Sequence, residues 1–588
     1  MSALSIQVPF PVFQDRDGQP LDNGYIWIGV PNLNPQTNPV VAYYDEALTI
    51  VALQPLRTLN GYISRAGTPA QVYVDAVNFS ILVQDSKGSM VYNFPDGTGI
   101  SPNAAGVVYD PPFTVSVPTN VEAKLAQTVS VLDFGAAGNG TGNLATALQA
   151  AHDALGPDGG EILIPAATSY YLMSTGVTFT KSIRLVGDGW FSSEILTNTN
   201  GITLISTNSK LDVVNLHFTA LSAARGTCRF ILHQSTSANH GHSTIDNCFF
   251  DGALNCYYSQ STNAVVLNNS VFGAEGATGV AILLENLVNP DTGDSFITNN
   301  TISGASTVIG IQVNSTSGIN ICNNKFNNEL AHVLVSAGAN LMGNYLISNN
   351  SFEGHTDYAV KMIATSGTIT KTLITGNQFS ATSTNNIVLS NGAKNTTITG
   401  NTFNHTNAGL GTGVAIESGV ENVTITGNAF HQIANGIVAA TGAAVSAGIT
   451  ASGNRFANDV TTFFAGDDGL SNYAPQRELS YSRLISNASD TVYSDACKVQ
   501  GYGTVEIKVY GIVQGVGVCN YYAKYLVSGS TPTQITAPVT SGASFNVQVA
   551  ASAGYLVVSA KRATGIGTTL TAFVEVTTNG QITDFRKA

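Results

Sequence analysis

From about Ile245 to Phe456 the chain repeats one short arrangement of positions: an apolar residue, a small one, an asparagine, then an apolar residue that is usually a ring. The copies are IDNCF (Ile245 to Phe249), LNNSVF (Leu267 to Phe272), ITNNTI (Ile297 to Ile302), ICNNKF (Ile321 to Phe326), ISNNSF (Ile347 to Phe352), ITGNQF (Ile374 to Phe379), ITGNTF (Ile398 to Phe403), ITGNAF (Ile425 to Phe430) and ASGNRF (Ala451 to Phe456). Aligned on Asn247, Asn269, Asn300, Asn324, Asn350, Asn377, Asn401, Asn428 and Asn454, successive copies lie roughly 22 to 31 residues apart, the interval of stacked repeats. Within a copy the alternation has period two. In GVAIESGVENVTITGNAF, Val414, Ile416, Val423 and Ile425 point one way, and Ala415, Glu417, Thr424 and Thr426 the other. Short strands, Gly/Asn corners and no crossover helices predict one turn of a parallel β-helix per copy. Asparagine tolerates the left-handed backbone of a sharp corner, and its amide can bond the asparagine one turn away. An antiparallel sandwich with chance Asn turns is the alternative, and nine matching corners weigh against it.

The pattern changes on either side of the repeat. Residues 1–100 alternate short strands with the turn signals DRDG, LDNG, TLNG and DSKG, which predicts a small β domain. Residues 101–128 read as a linker rich in Pro, Gly, Asn and Val, with a short helix at Val121 to Gln127. Residues 129–459 read as the solenoid, on the order of 11 turns and about 50 Å long. It opens with an amphipathic helix: Leu144, Leu148, Ala151 and Leu155 recur at helical spacing after an Asn143 cap, and Gly156-Pro157 ends the run. Such a helix covers the apolar end of a first turn. Residues 460–588 read as a connector and an antiparallel β domain for trimerisation, whose aromatic clusters are core, subunit interface or glycan contacts. Along the rod, the outward column Gln312, Leu334, Lys361, Val388, Ala415 and Val438 is largely apolar, which predicts a face buried in a homotrimer.

Composition narrows the class. Only 10% of residues are charged and 59 of 588 are glycine, which favours tightly turned β structure. A net charge of −13 argues against a nucleic-acid partner. The six cysteines show no metal spacing and read as buried thiols. The start lacks a basic region and an apolar run, so no signal peptide is expected. No stretch is long and apolar enough to cross a bilayer, so membrane insertion is not expected either. Synthesis in a reducing cytoplasm fits these features.

No nucleophile triad, phosphate loop, zinc motif or dinucleotide fingerprint stands out, and Gly187-Asp188-Gly189 reads as a turn. No metal or other cofactor is expected. The scarce carboxylates carry the candidate chemistry. Glycoside cleavage uses two of them, about 5–5.5 Å apart for retention and about 6.5–9.5 Å for inversion. Stacked turns about 4.8 Å apart supply such spacings. Glu329, Glu353 and Asp357 fall on neighbouring turns and are the first choice as catalytic acid and base. The same corner carries Asp251, Glu275, His355, His405 and His431, and a merely solvated face is the competing reading. Glu285, Asp291 and Asp294, in the longest copy, are the second choice. A lyase would need clustered carboxylates for calcium and a basic residue, and among the sparse Lys325, Lys361, Lys371 and Lys394 none sits in a clear acidic cluster except Lys325, which precedes Glu329.

Two segments resemble known families. PFPVF (Pro9 to Phe13), PLDNGYIWIG, QPLRTLNGYI and DSKGSMV together resemble the N-terminal head-binding domain of podovirus-type phage tailspikes. DFGAAGNG, TALQAA and GGEILIP resemble the opening of pectate-lyase-like right-handed parallel β-helix proteins. The resemblance implies a virion tail protein whose residues 1–100 attach to phage tail or portal-adaptor proteins. It also implies a homotrimer that recognises and depolymerises a bacterial surface polysaccharide, O-antigen or capsule. Hydrolases, lyases and inert fibres share this fold. An endo-glycosidase is the first reading, with a polysaccharide lyase and a non-enzymatic fibre or adhesin as alternatives.

Overall fold

The computed structural model describes residues 10–76, 78–98, 107–109, 111, 117–125, 128–234, 242–260, 264–285, 287, 293–380, 385–405, 409–439, 448–457, 459–465, 478–487, 489–514, 517–541, 545–565 and 569–587. They fall into two compact units, Met1–Gln127 and Thr128–Ala588.

In the first unit a six-stranded antiparallel sheet has the order Thr68–Pro69, Tyr62–Arg65, Leu56–Leu59, Tyr25–Gly29, Asn78–Gln84, Met90–Thr98. Strand alternation buries Ile26 and Ile28 in a small core with Leu56 and Val83. The turn signals sit where they were expected: Asn60 in TLNG takes a φ of 50°, which asparagine tolerates.

The second unit opens with the first-wall strand Thr128–Ser130, and the helix Leu144–Ala154 follows, its first turn capped by Asn143 Oδ1 accepting from the Ala145 amide at 3.3 Å. Its buried Leu144, Leu148 and Ala151 join the core of the rod. Each turn of the rod then contributes one strand to each of three walls. Ile319–Cys322, Lys325–Asn327 and Ala331–Ala337 are one such set, in first, second and third wall respectively. The first wall has 13 strands, the second has 12, and the third begins a 19-stranded sheet. Registers are parallel and in step, so like falls on like. Phe326, Phe352, Phe379, Phe403, Phe430 and Phe456 stack inside the second wall with ring centroids 4.7 to 5.0 Å apart.

The corner between first and second walls divides the work assigned to asparagine between two successive residues. The left-handed backbone belongs to Asn299, Asn323, Asn349, Gly376, Gly400, Gly427 and Gly453, with φ between 56° and 67°. The residue that follows, from Asn300 through Asn454, is buried and builds the ladder. Each Oδ1 accepts the backbone N–H of the asparagine one turn back, as Asn377 does from Asn350 at 2.9 Å. From Asn300 to Asn428 each Nδ2 donates to the next Oδ1 and to a first-wall carbonyl, and Asn454 Nδ2 donates to the Ile425 carbonyl. The two earliest copies are therefore shifted by one from the expected alignment. Asn247 and Asn269 take the left-handed backbone, with φ of 51° and 49°, and the ladder passes through Cys248 and Ser270 instead.

The C-terminal strands continue the third wall. Leu570–Lys587 runs antiparallel to the last wall strand, Thr462–Ala465, and to Glu478–Asn487 and Ser494–Val513. The boundary expected at 459/460 is thus not a break in packing, since Phe463 meets Phe456 on one side and Phe585 on the other. Cys228, Cys248 and Cys256 are buried free thiols, Cys497 is buried and Cys322 is half-buried, while the side chain of Cys519 lies outside the described residues.

Candidate functional site

The outer face of the second wall presents two parallel columns of side chains. The first runs Glu194, His217, Phe249, Val271, Thr301, Lys325, Ser351. The second runs Leu196, Thr219, Asp251, Gly273, Ser303, Asn327, Glu353 in the same registers. Chemistry gathers at the two ends of this strip, with small residues between.

At the end nearer the capping helix, Arg225 comes from the turn after Leu221 and grips two carboxylates. Its Nη1 and Nη2 donate to Asp251 Oδ2 and Oδ1 at 3.1 and 3.0 Å, and Nη2 also meets Glu275 Oε1 at 2.7 Å. Two carboxyl oxygens on one nitrogen lie no farther apart than those two lengths together. The pairing raises the guanidinium pKa, chiefly through Asp251. One turn back, Thr219 Oγ1 donates to Glu194 Oε1 at 2.7 Å and lies 2.9 Å from His217 Nε2. Burial lowers the His217 pKa against the pull of Glu194, so the imidazole is neutral at pH 7. Above this group the loop before Glu194 carries Trp190, whose indole N–H donates to the Asn247 carbonyl and whose ring lies 5.6 Å from Phe249. Asp251 and Glu275 were legible as corner acids. Their guanidinium partner and the aromatic cover were not, because Arg225 and Trp190 come from irregular segments outside the repeat.

At the other end, Glu353 is 44% exposed at its side chain. Its Oε1 accepts from Ser351 Oγ at 3.1 Å, and its Oε2 lies 3.7 Å from Lys325 Nζ. Asp357, four residues on and just before the third-wall strand Tyr358–Ala364, is exposed. Glu329 is placed differently, and the expectation of one groove shared by all three acids is corrected. Glu329 is wholly buried inside the rod, with Oε2 3.1 Å from His332 Nε2 in an arrangement off the line of a hydrogen bond. His332 is sandwiched between Phe326 and Phe352 and meets His355 edge-on at 5.0 Å. His405, also interior, lies 2.9 Å from Asn386 Nδ2. Burial pushes Glu329 well above the usual carboxylate range, His332 well below the usual imidazole range, and His355 down to about 3. These inner groups are therefore neutral and out of a polymer's reach.

Of the second-choice acids, Glu285 lies on the third wall, accepting from Tyr258 Oη at 2.5 Å and Asn314 Nδ2 at 3.4 Å. Asp294 precedes the next first-wall strand, Ser295–Thr298. Asp291 lies outside the described residues.

Family models agree with this architecture. Residues 291–456 match "Right handed beta helix region", and residues 128–361 match "Rhamnogalacturonase A/epimerase, pectate lyase-like". Residues 128–456 thus form a right-handed, pectate-lyase-like parallel β-helix. Solved structures similar to the chain include a tailspike protein variant of Escherichia coli bacteriophage HK620 in complex with a pentasaccharide. It is 14% identical, covers 82% of this chain and 98% of that one, and gives a TM-score of 0.47. Another is the A-module of mannuronan C-5 epimerase AlgE6 from Azotobacter vinelandii, 17% identical over 58% of this chain and 95% of that one, with a TM-score of 0.46. No curated protein matches the chain in sequence. Identities this low speak for no particular residue.

Proposed function

We propose that this protein is a phage tailspike that binds a bacterial surface polysaccharide, O-antigen or capsule, and cuts it by glycoside hydrolysis. The observation that carries the cleavage step is the pair of open carboxylates Glu353 and Asp357 at the junction of second and third walls, with Glu353 oriented by Ser351 and Lys325. One carboxyl protonates the leaving oxygen and the other activates water or attacks the sugar. Residues 1–100, which carry the head-binding resemblance and lie within the compact unit Met1–Gln127, serve virion attachment through tail or portal-adaptor proteins.

Glu353→Gln and Asp357→Asn keep shape and remove charge. Each is expected to lower the release of reducing ends from host polysaccharide by about 10²–10⁴-fold. Parent rates in both variants would sink the assignment. A lyase has one observation in its favour, Lys325 poised 3.7 Å from Glu353 as a basic group. A rise in ultraviolet absorbance from an unsaturated product distinguishes it. A fibre that only adheres releases nothing.

A further inference from the structure

We infer that the Trp190–Phe249 end of the second wall is a docking subsite for a neutral or amine-bearing pyranose unit of the polymer, distinct from the Glu353–Asp357 end. The inference rests on the polysaccharide reading above. A pyranose ring has an apolar C–H face and a polar hydroxyl rim, so a site for it needs a flat apolar surface beside fixed acceptors. Trp190 and Phe249, each half-buried and inclined to one another at 57° with centroids 5.6 Å apart, each offer one ring face as that surface. Phe191, next along the same loop, is 98% exposed, an apolar side chain with no cover among the described residues.

Acceptors stand beside the rings. Asp251 lies two residues from Phe249 on the same strand and faces the same way. Arg225 pins Asp251 and Glu275 together, yet their side chains stay 39% and 37% exposed. Both carboxylates are therefore oriented before a ligand arrives, which spares the ordering cost of binding, and an ionised oxygen is a strong acceptor for a hydroxyl. Two carboxylates on one guanidinium leave the group negative. It repels nucleic acid and acidic polymers and suits uncharged or amine-bearing sugars.

The strip between the two ends offers a path. From Asp251 to Glu353 the column passes only Gly273, Ser303 and Asn327, a run of about 19 Å at the spacing of wall strands. A polymer lying along it meets Gly273, Ser303 and Asn327, with Val271, Thr301 and Lys325 beside them, between its anchor and the open acids.

The full chain is tested on an immobilised array of bacterial O-antigen and capsular polysaccharides, with reducing ends measured on the glycans that retain it. The double variant W190A/F191A is expected to lose retention at least tenfold. Trp190→Phe should hold it, and Glu353→Gln should hold it while losing cleavage. Phe191 stands in solvent, so Phe191→Ala alone leaves folding untouched and is expected to weaken retention by itself. Parent-like retention by the double variant would overturn the subsite and leave the polysaccharide reading standing. A parent retained on no glycan would overturn both. Retention lost in W190A/F191A with parent-rate cleavage in Glu353→Gln supports the subsite and sinks only the catalytic assignment.

Discussion

A carboxyl and an imidazole side by side in an apolar wall can hold a pair of charges or none. Inside this rod Glu329 is pushed up and His332 down, mainly by loss of water, so both stay neutral. The sign of the pH dependence follows. The unfolded chain releases the Glu329 proton above about pH 4.5, while the folded chain keeps it, so this residue removes stability as pH rises towards its folded pKa. The histidines act oppositely. The unfolded state takes up their protons below about pH 6.5, and the fold loses stability as pH falls towards the His355 value of about 3. Glu329→Gln is therefore expected to melt higher than the parent at pH 8, with a difference that narrows towards pH 5. The scale is about 1.4 kcal/mol for each pH unit between the folded and unfolded pKa values. Thermal melts from pH 5 to pH 8 check it, and a constant difference would disprove the neutral carboxyl. Nothing in the sequence separates Glu329 from Glu353 by type. Their positions do: Glu353 directly follows the inward Phe352, so alternation turns it out, whereas Glu329 lies beyond the strand Lys325–Asn327, where alternation no longer sets direction.

At the scale of the element, the corner shows why the repeat was readable while its register was not. Apolar, small and asparagine positions mark a bend and its period, but either of two adjacent asparagines satisfies that pattern. The structure settles the matter through backbone handedness, which asparagine and glycine share and serine and cysteine do not favour. Hence Asn247 and Asn269 slip by one while later copies align. The two roles predict opposite tolerances. Gly400, with φ of 66° and no atom nearer than 3.9 Å to an added Cβ, should accept Asn with little loss, whereas Gly400→Val is expected to cost about 1–2 kcal/mol. Asn377→Ala, in the ladder, removes the acceptor of the Asn350 N–H and Nδ2 and the side-chain donor to the Ile347 carbonyl, while Asn401 Oδ1 keeps the residue-377 backbone N–H. The expected cost is about 1–3 kcal/mol for each orphaned group. Chemical denaturation of the three variants measures the ranking. The helix cap and the wall strands were legible for a related reason, since short-range periodicity alone determines them. The clamp on Asp251 was not, because it requires knowing which turn lies beside which.

At the scale of the molecule, Ala331, Tyr358 and Val388 form a small apolar cluster on the outer side of the third wall that the chain itself already buries, with the half-buried Ile309, Leu334 and Ala415 packed against it. A homotrimer through this face is the expected state in solution, although each subunit carries a charge of −13. Light scattering at micromolar concentration should give three subunits for the parent and fewer for Leu334→Asp. A parent monomer would refute the trimer. A chain beginning at Thr128, which drops the first compact unit, is expected to fold and keep cleavage while losing attachment to virions. Loss of cleavage in that shortened chain would show that the two units are not independent. The antiparallel seam between Leu570–Lys587 and Thr462–Ala465 bears on biosynthesis. As the nascent chain leaves the ribosome, each turn can settle on the one before it, yet the newest rim stays an unpaired strand able to recruit a neighbouring chain. Residues 584–586, far along the chain from Thr462–Ala465, seal that rim, so a chain cut short before them keeps a sticky end.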